Sequence, residues 1–170
     1  MQLNDKNIRE TLWFYKLETI IGEIVIIKSE KGLRSIEILE DSFKKLQIKN
    51  KLVENKEKCE DALNQIMEYF DGSRKYFDLA LDIEGTDFRK KVWNELIKIP
   101  YGELRSYKDI AVAIGNEKAV RAIGQANKAN PIPIVVPCHR VISSKNKLIG
   151  YAGNHIDIQE KLINIEKSYK

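Results

Sequence analysis

Cysteine, histidine and tryptophan occur only twice each in the 170-residue chain, and proline four times. Cys59 and Cys138 stand 79 positions apart and cannot build a disulfide framework, so the thiols are expected to stay reduced, as in a cytoplasmic protein. Two cysteines and two histidines could supply four metal ligands, but their spacing matches no usual zinc site, and no metal is expected. No apolar run approaches the roughly 20 residues of a membrane span. The N-terminus, Met1-Gln2-Leu3-Asn4-Asp5-Lys6, lacks the basic-then-apolar layout of a signal peptide. Phosphate-cradling glycine loops, dinucleotide fingerprints and internal repeats are missing as well, so no cofactor is expected.

What is present reads as globular: 43% hydrophobic and 32% charged residues, enough chain for one domain or two small ones. The net charge of +4 is unevenly shared. Residues 1–84 carry 14 basic and 17 acidic side chains, whereas residues 85–170 carry 15 and 8. A polyanion would therefore bind the second half. The same boundary divides an N-terminal domain, 1–84, from a C-terminal domain, 85–170.

Residues 12–40 read as β structure, with β-rich runs at Trp13-Phe14-Tyr15 and Gly22 to Ile27 and an alternating segment from Leu33 to Ile38. Lysine and glutamate dominate 41–58, where the signal is weak. Cys59, Leu63, Ile66 and Phe70 share a helical face, which makes Cys59 a core residue. Thr86 or Asp87 can cap a helix carrying Phe88, Val92, Trp93 and Leu96. Ser106-Tyr107-Lys108-Asp109 fits a capping box for a short helix ending at Gly115. Asn116 can cap the next helix, to about Lys128, and the pair forms a helix-turn-helix pattern. Val120 and Ile123 are expected inside. Lys118, Arg121, Ala122, Gln125 and Lys128 recur on the other side, with small residues at Ala119, Ala122, Gly124 and Ala126. A final helix from about Asp157 to Glu166 buries Ile158, Leu162 and Ile165.

The chemistry concentrates in Asn130-Pro131-Ile132-Pro133-Ile134-Val135-Val136-Pro137-Cys138-His139-Arg140-Val141. Prolines remove backbone donors, so the run is a poor central strand and reads as a rigid, buried, extended stretch that delivers Cys138 to a fixed place. A thiol becomes nucleophilic when ionised, an imidazole can take its proton, and a carboxylate can orient the imidazole. Cys138 and His139 are adjacent, so either the chain turns there or a water links them. Asp157, Glu160 and Glu166 are the carboxylates available in the last 50 residues.

Pro137-Cys138-His139-Arg140-Val141, preceded by Asn130-Pro131-Ile132-Pro133, resembles the active-site signature of the O6-alkylguanine-DNA alkyltransferases. Gly85-Thr86-Asp87-Phe88, Val92-Trp93, Ile99-Pro100-Tyr101-Gly102-Glu103, Ser106-Tyr107, Ala119 to Gly124 and Gly150-Tyr151 extend the likeness across 85–166. It is looser over 12–84, where Tyr69-Phe70 and Phe77-Asp78-Leu79 still resemble bacterial members. The resemblance implies an α/β, ribonuclease-H-like N-terminal domain and a mainly α C-terminal domain with a winged helix-turn-helix. It implies DNA repair by direct reversal: a single, irreversible transfer of the alkyl group from O6-alkylguanine to Cys138, with O4-alkylthymine as a second candidate substrate. His139 would be the base through a water, Glu166 its carboxylate partner, Asn130 the brace of the turn, and Tyr107 the donor to the leaving guanine. Arg121 would fill the space left by the flipped nucleotide, its helix in the minor groove of double-stranded DNA, with Ala122 and Gly124 allowing close approach. Lys108, Asn116 and Ser144 would contact DNA, and Tyr151, Val141 and Ala152 would line the base pocket of a monomeric protein. The chain departs from the family at Ala152-Gly153-Asn154, where two glycines are usual, and at Ile165, where histidine is usual. An alkyl-lesion-binding protein without transfer would lack the reactive cysteine. A helix-turn-helix regulator would leave Cys138-His139 unexplained, and a thiol hydrolase would leave the basic helix face unexplained.

Overall fold

The computed structural model describes residues 10–145, 147–148 and 155–170. Strands β1 (Thr11–Thr19), β2 (Gly22–Ser29) and β3 (Gly32–Glu37) form an antiparallel meander. After helix α1 (Glu40–Lys49), strand β4 (Lys51–Glu54) pairs parallel to β1, giving the order β3-β2-β1-β4. Helix α2 (Lys56–Phe70) follows, with the Asn55 side chain accepting from Lys58 N.

Both faces of this sheet are covered, which explains the unbroken apolar run in β2. Ile24 and Ile26 share a core with Cys59, Leu63, Ile66 and Tyr69 of α2. Val25 and Ile27 pack with Leu12 and with Phe43 of α1. Helix α1 and strand β4 fall where the sequence signal is weak. Phe43 is the one buried residue of α1, so its apolar stripe is too thin to read from periodicity.

The C-terminal part contains α3 (Asp87–Ile97), α4 (Tyr107–Ala113), α5 (Val120–Lys128) and α6 (Ile156–Ser168). The Thr86 hydroxyl caps α3, and Ser106 with Asp109 closes the capping box of α4. Trp93 Nε1 donates to the Ala126 carbonyl at 2.8 Å and fixes α3 against α5. Strands β5 (Arg105–Ser106) and β6 (Val141–Ile142) pair in parallel beside the α4–α5 helix-turn-helix.

Three local expectations are corrected here. Asn116 opens a 3-10 turn, Glu117–Ala119, with no side-chain cap, and α5 begins only at Val120. That turn rotates α5, so Val120 is 38% exposed while Ile123 is buried. Ala119 and Ala126 also face the core and not the basic side. Ala122 remains exposed and Gly124 has open space at its missing Cβ.

The outer edge of β3 is where the two halves meet. Leu33 N donates to the Ala80 carbonyl and Asp82 N to the Leu33 carbonyl, so the connecting segment runs along the edge. Further on, Ile36 N donates to the Pro131 carbonyl at 2.9 Å. An exposed edge is thus capped by the segment that carries Cys138.

Candidate active site

The proline-rich run is not extended, as its composition led us to expect; it is a sequence of tight turns. Asn130 follows α5 and its side chain closes them. Its Oδ1 accepts from Ile132 N at 3.0 Å, and its Nδ2 donates to the Val136 carbonyl at 2.9 Å and to Cys138 Sγ at 3.1 Å. Val136 N donates to the Ile132 carbonyl, and between them Ile134 takes φ = 76°, although it is β-branched and fully buried. Such a conformation costs on the order of 1–3 kcal/mol and persists when its surroundings impose it. Pro137, at φ −80° and ψ 61°, is the centre of an inverse γ-turn closed by Cys138 N to the Val136 carbonyl at 2.8 Å.

Cys138–Arg140 then form one 3-10 turn. Three residues per turn send neighbouring side chains about 120° apart, which is how adjacent Cys138 and His139 serve different surroundings. The α6 residue Gln159 straps this turn, its Nε2 donating to the carbonyls of His139 at 3.2 Å and Val141 at 3.1 Å.

Behind the thiol lies a buried hub centred on Glu166. Its Oε1 is 2.6 Å from His139 Nε2 and accepts from the Tyr69 hydroxyl at 2.9 Å. Arg140 Nε donates to both carboxylate oxygens and Nη2 to Oε1, while Arg140 Nη1 reaches the Ile99 carbonyl. Gly102 N donates to Oε2 at 2.9 Å from a backbone at φ = 73°, the left-handed region that glycine adopts without strain. His139, Tyr69 and Glu166 are at most 1% exposed. Asp157 and Glu160 are exposed on the other faces of α6.

Burial holds the His139 imidazole below its usual 6.5, with Arg140 acting the same way and Glu166 pulling against both. Burial tends to raise Glu166, but the His139 and Arg140 contacts outweigh it and bring the carboxyl down to about 2. Both shifts make the folded protein bind fewer protons than the unfolded chain. Stability should therefore decline as pH falls below about 6.5, where unfolded histidine protonates, and decline further from about 4.5 towards 2 as unfolded glutamate does. Urea midpoints measured across pH 7 to 3 check this, and Glu166→Gln should flatten the lower limb.

Five of the other predicted residues gather around one hollow. Tyr107 opens α4, and burial raises its hydroxyl while the Asn127 amide hydrogen-bonds it and Cys138 lies close enough to act on it. Asn127 Nδ2 also donates to the Cys138 carbonyl at 3.2 Å. Tyr107, Lys108, Arg121, Gly124 and Ser144 border one solvent-open hollow of about 550 Å³. Asn116 is exposed and does not border it. Val141 is fully buried in β6. Tyr151 and Ala152 lie outside the described residues.

Tyr69, Asn127 and Gln159 were missed as site residues by sequence reasoning, and Arg140 was noticed without a role. Tyr69 lies 97 positions from Glu166, and no local pattern encodes that pairing. A buried arginine beside the histidine was the one signal available, because a buried charge demands a partner.

A braced thiol with an imidazole–carboxylate pair behind it, set beside a helix-turn-helix, defines a thiol-nucleophile site on a nucleic-acid-binding type of domain. Residues 12–83 match the family described as 6-O-methylguanine DNA methyltransferase, ribonuclease-like domain, and residues 87–168 match its DNA binding domain. The chain is 46% identical over 157 residues to a methylated-DNA–protein-cysteine methyltransferase of Methanosarcina barkeri, covering 92% of this chain and 98% of the relative. Its identity to the constitutive methylated-DNA–protein-cysteine methyltransferase of Bacillus subtilis is 45% over 161 residues, 93% of this chain and 98% of that one. The crystal structure of Mycobacterium tuberculosis OGT in complex with DNA superposes with a TM-score of 0.83 at 38% identity, covering 94% of each chain. The chain therefore belongs to the 6-O-methylguanine DNA methyltransferase family.

Proposed function

We propose that this protein repairs DNA by direct reversal, moving the alkyl group of an O6-alkylguanine onto Cys138 once and irreversibly. The observation that carries this reading is the Asn130-braced thiol, next in sequence to His139 of the buried His139–Glu166 pair and close to Tyr107, which borders the Arg121 hollow. Asn130 donates to sulfur, which favours the thiolate. His139, neutral at pH 7 because it is buried, takes the thiol proton through a water, and Glu166 stabilises the imidazolium that results. The sulfur then attacks the alkyl carbon. The S–C bond forms as the C–O6 bond breaks, and the electron pair stays on O6. Tyr107 delivers a proton to the departing guanine and recovers one from solvent, while His139 releases the former thiol proton to solvent, so charge and protons balance.

A base inside a duplex is out of reach of the thiol, so the nucleotide must rotate out at a cost of a few kcal/mol. Arg121, Ala122 and Gly124 on the exposed face of α5 suit entry into the minor groove, with Arg121 occupying the vacated stack. Lys108, Ser144 and Asn116 would meet phosphates of that DNA. We read the working unit as a monomer, with one acceptor thiol per chain, and place it in the cytoplasm, where thiols stay reduced.

The test is mass spectrometry of the protein after incubation with duplex DNA carrying O6-methylguanine. One methyl per molecule on the peptide containing Cys138 is expected. Multiple turnover, or an unmodified protein, would overturn the proposal.

The rate should fall as pH drops through the His139 transition below 6.5. Tyr69→Phe should move that acid limb upward, because a carboxylate relieved of one donor holds the imidazolium more strongly. The same change should cost about 1–2 kcal/mol of stability in urea titrations. An unmoved limb would separate Tyr69 from the reaction.

A further inference from the structure

We propose that the junction between β3 and α1 forms the far wall of the alkyl subsite at Cys138 and sets the largest alkyl group the thiol accepts. This rests on the alkyl-transfer reading above and adds a role for the N-terminal domain.

A hollow of about 200 Å³ opens between the two domains. Asn130, Pro133 and Cys138 form one side of it, and Ile36, Leu39 and Ser42 face them from the N-terminal domain. Neither domain encloses it alone. The opposing wall is held in place: Ile36 N donates to the Pro131 carbonyl at 2.9 Å, so β3 cannot drift from the turn that carries the sulfur. At the start of α1 the Leu39 carbonyl accepts both the Ser42 backbone at 3.1 Å and the Ser42 hydroxyl at 2.7 Å, which fixes the corner. Lys128 borders both this hollow and the one on the α5 face.

In-line displacement requires sulfur, reacting carbon and O6 to be nearly collinear. Further carbons of the alkyl group must then project sideways from that line, into whatever space surrounds the sulfur. A methyl group needs none of it. The hollow is several times the roughly 30 Å³ of one water, which is room for a short chain or a benzyl ring. Ile36, Leu39 and Pro133 give the hollow an apolar wall that hydrocarbon substituents can pack against, while Glu37, Asn127 and Lys128 supply its polar border.

Two substitutions in the N-terminal domain test the wall without touching the reacting groups. Ser42→Trp fills the hollow and Leu39→Ala widens it. Single-turnover rates are measured for duplex DNA carrying O6-methylguanine or O6-benzylguanine, with circular dichroism melts as a check on folding. Ser42→Trp should leave the methyl rate within about twofold and lower the benzyl rate roughly tenfold, the effect of about 1.4 kcal/mol of steric opposition in the transition state. Leu39→Ala should raise the benzyl-to-methyl ratio several-fold. An unchanged ratio in both folded variants overturns the assignment of the wall and leaves the repair function standing. A wild-type protein that transfers neither group overturns the function itself, and the subsite with it.

Discussion

Glu166→Gln is expected to destabilise the protein by about 3–5 kcal/mol, because it strands the buried Arg140 charge. The carboxylate takes donors from His139, Arg140, Tyr69 and Gly102 and has no competing hydrogens of its own. An amide offers one acceptor oxygen and turns an NH2 group towards donors. No rotamer of glutamine satisfies both sides of the hub, so at least one buried donor stays unpaired at a further cost of about 1–3 kcal/mol. Alkyl transfer should fall as well, because the imidazolium loses its stabilising charge. A urea midpoint close to that of the wild type would show that water or rearrangement replaces the carboxylate, and would refute the hub as a fully paired buried charge cluster.

Cys138→Ser is expected to remove alkyl transfer below detection while leaving the fold nearly untouched. A thiol with a pKa near 8.5 can be ionised by a modest environment, whereas an alcohol stays protonated and its oxygen is the poorer nucleophile. Serine is smaller than cysteine yet still accepts the hydrogen bond from Asn130 Nδ2, which now spans 3.1 Å to sulfur. The turn should persist, with stability within about 1 kcal/mol of the wild type. Duplex DNA carrying O6-methylguanine should then remain bound with its lesion intact in gel-shift experiments. Methylation of the serine variant at any position would place the acceptor elsewhere.

Most regular elements were legible because their signals are local. The stripes of α2 and α3 and the capping box of α4 depend on residues three or four apart. What escaped depends on contacts between distant parts of the chain. Helix α1 covers the second face of the sheet with little more than Phe43, so its own pattern is faint. Prolines that remove backbone donors make the run before Cys138 look rigid and extended; Asn130 bends it by bonding to Ile132, Val136 and the sulfur at once. Among Asp157, Glu160 and Glu166, composition alone could not choose the partner of His139. The register of α6 does so, turning Glu166 inward and the other two to solvent.

Cys59 has a consequence for anyone who wants to count spent molecules. It is sealed in the core beneath the sheet, and desolvation pushes its thiol up to about 11. Sulfhydryl reagents should therefore leave it silent in the native state and reveal it only after unfolding. Each intact molecule then carries an internal reference thiol. The ratio of labelled Cys138 to labelled Cys59 in denatured samples would report the fraction of protein that has already accepted an alkyl group, independent of protein concentration.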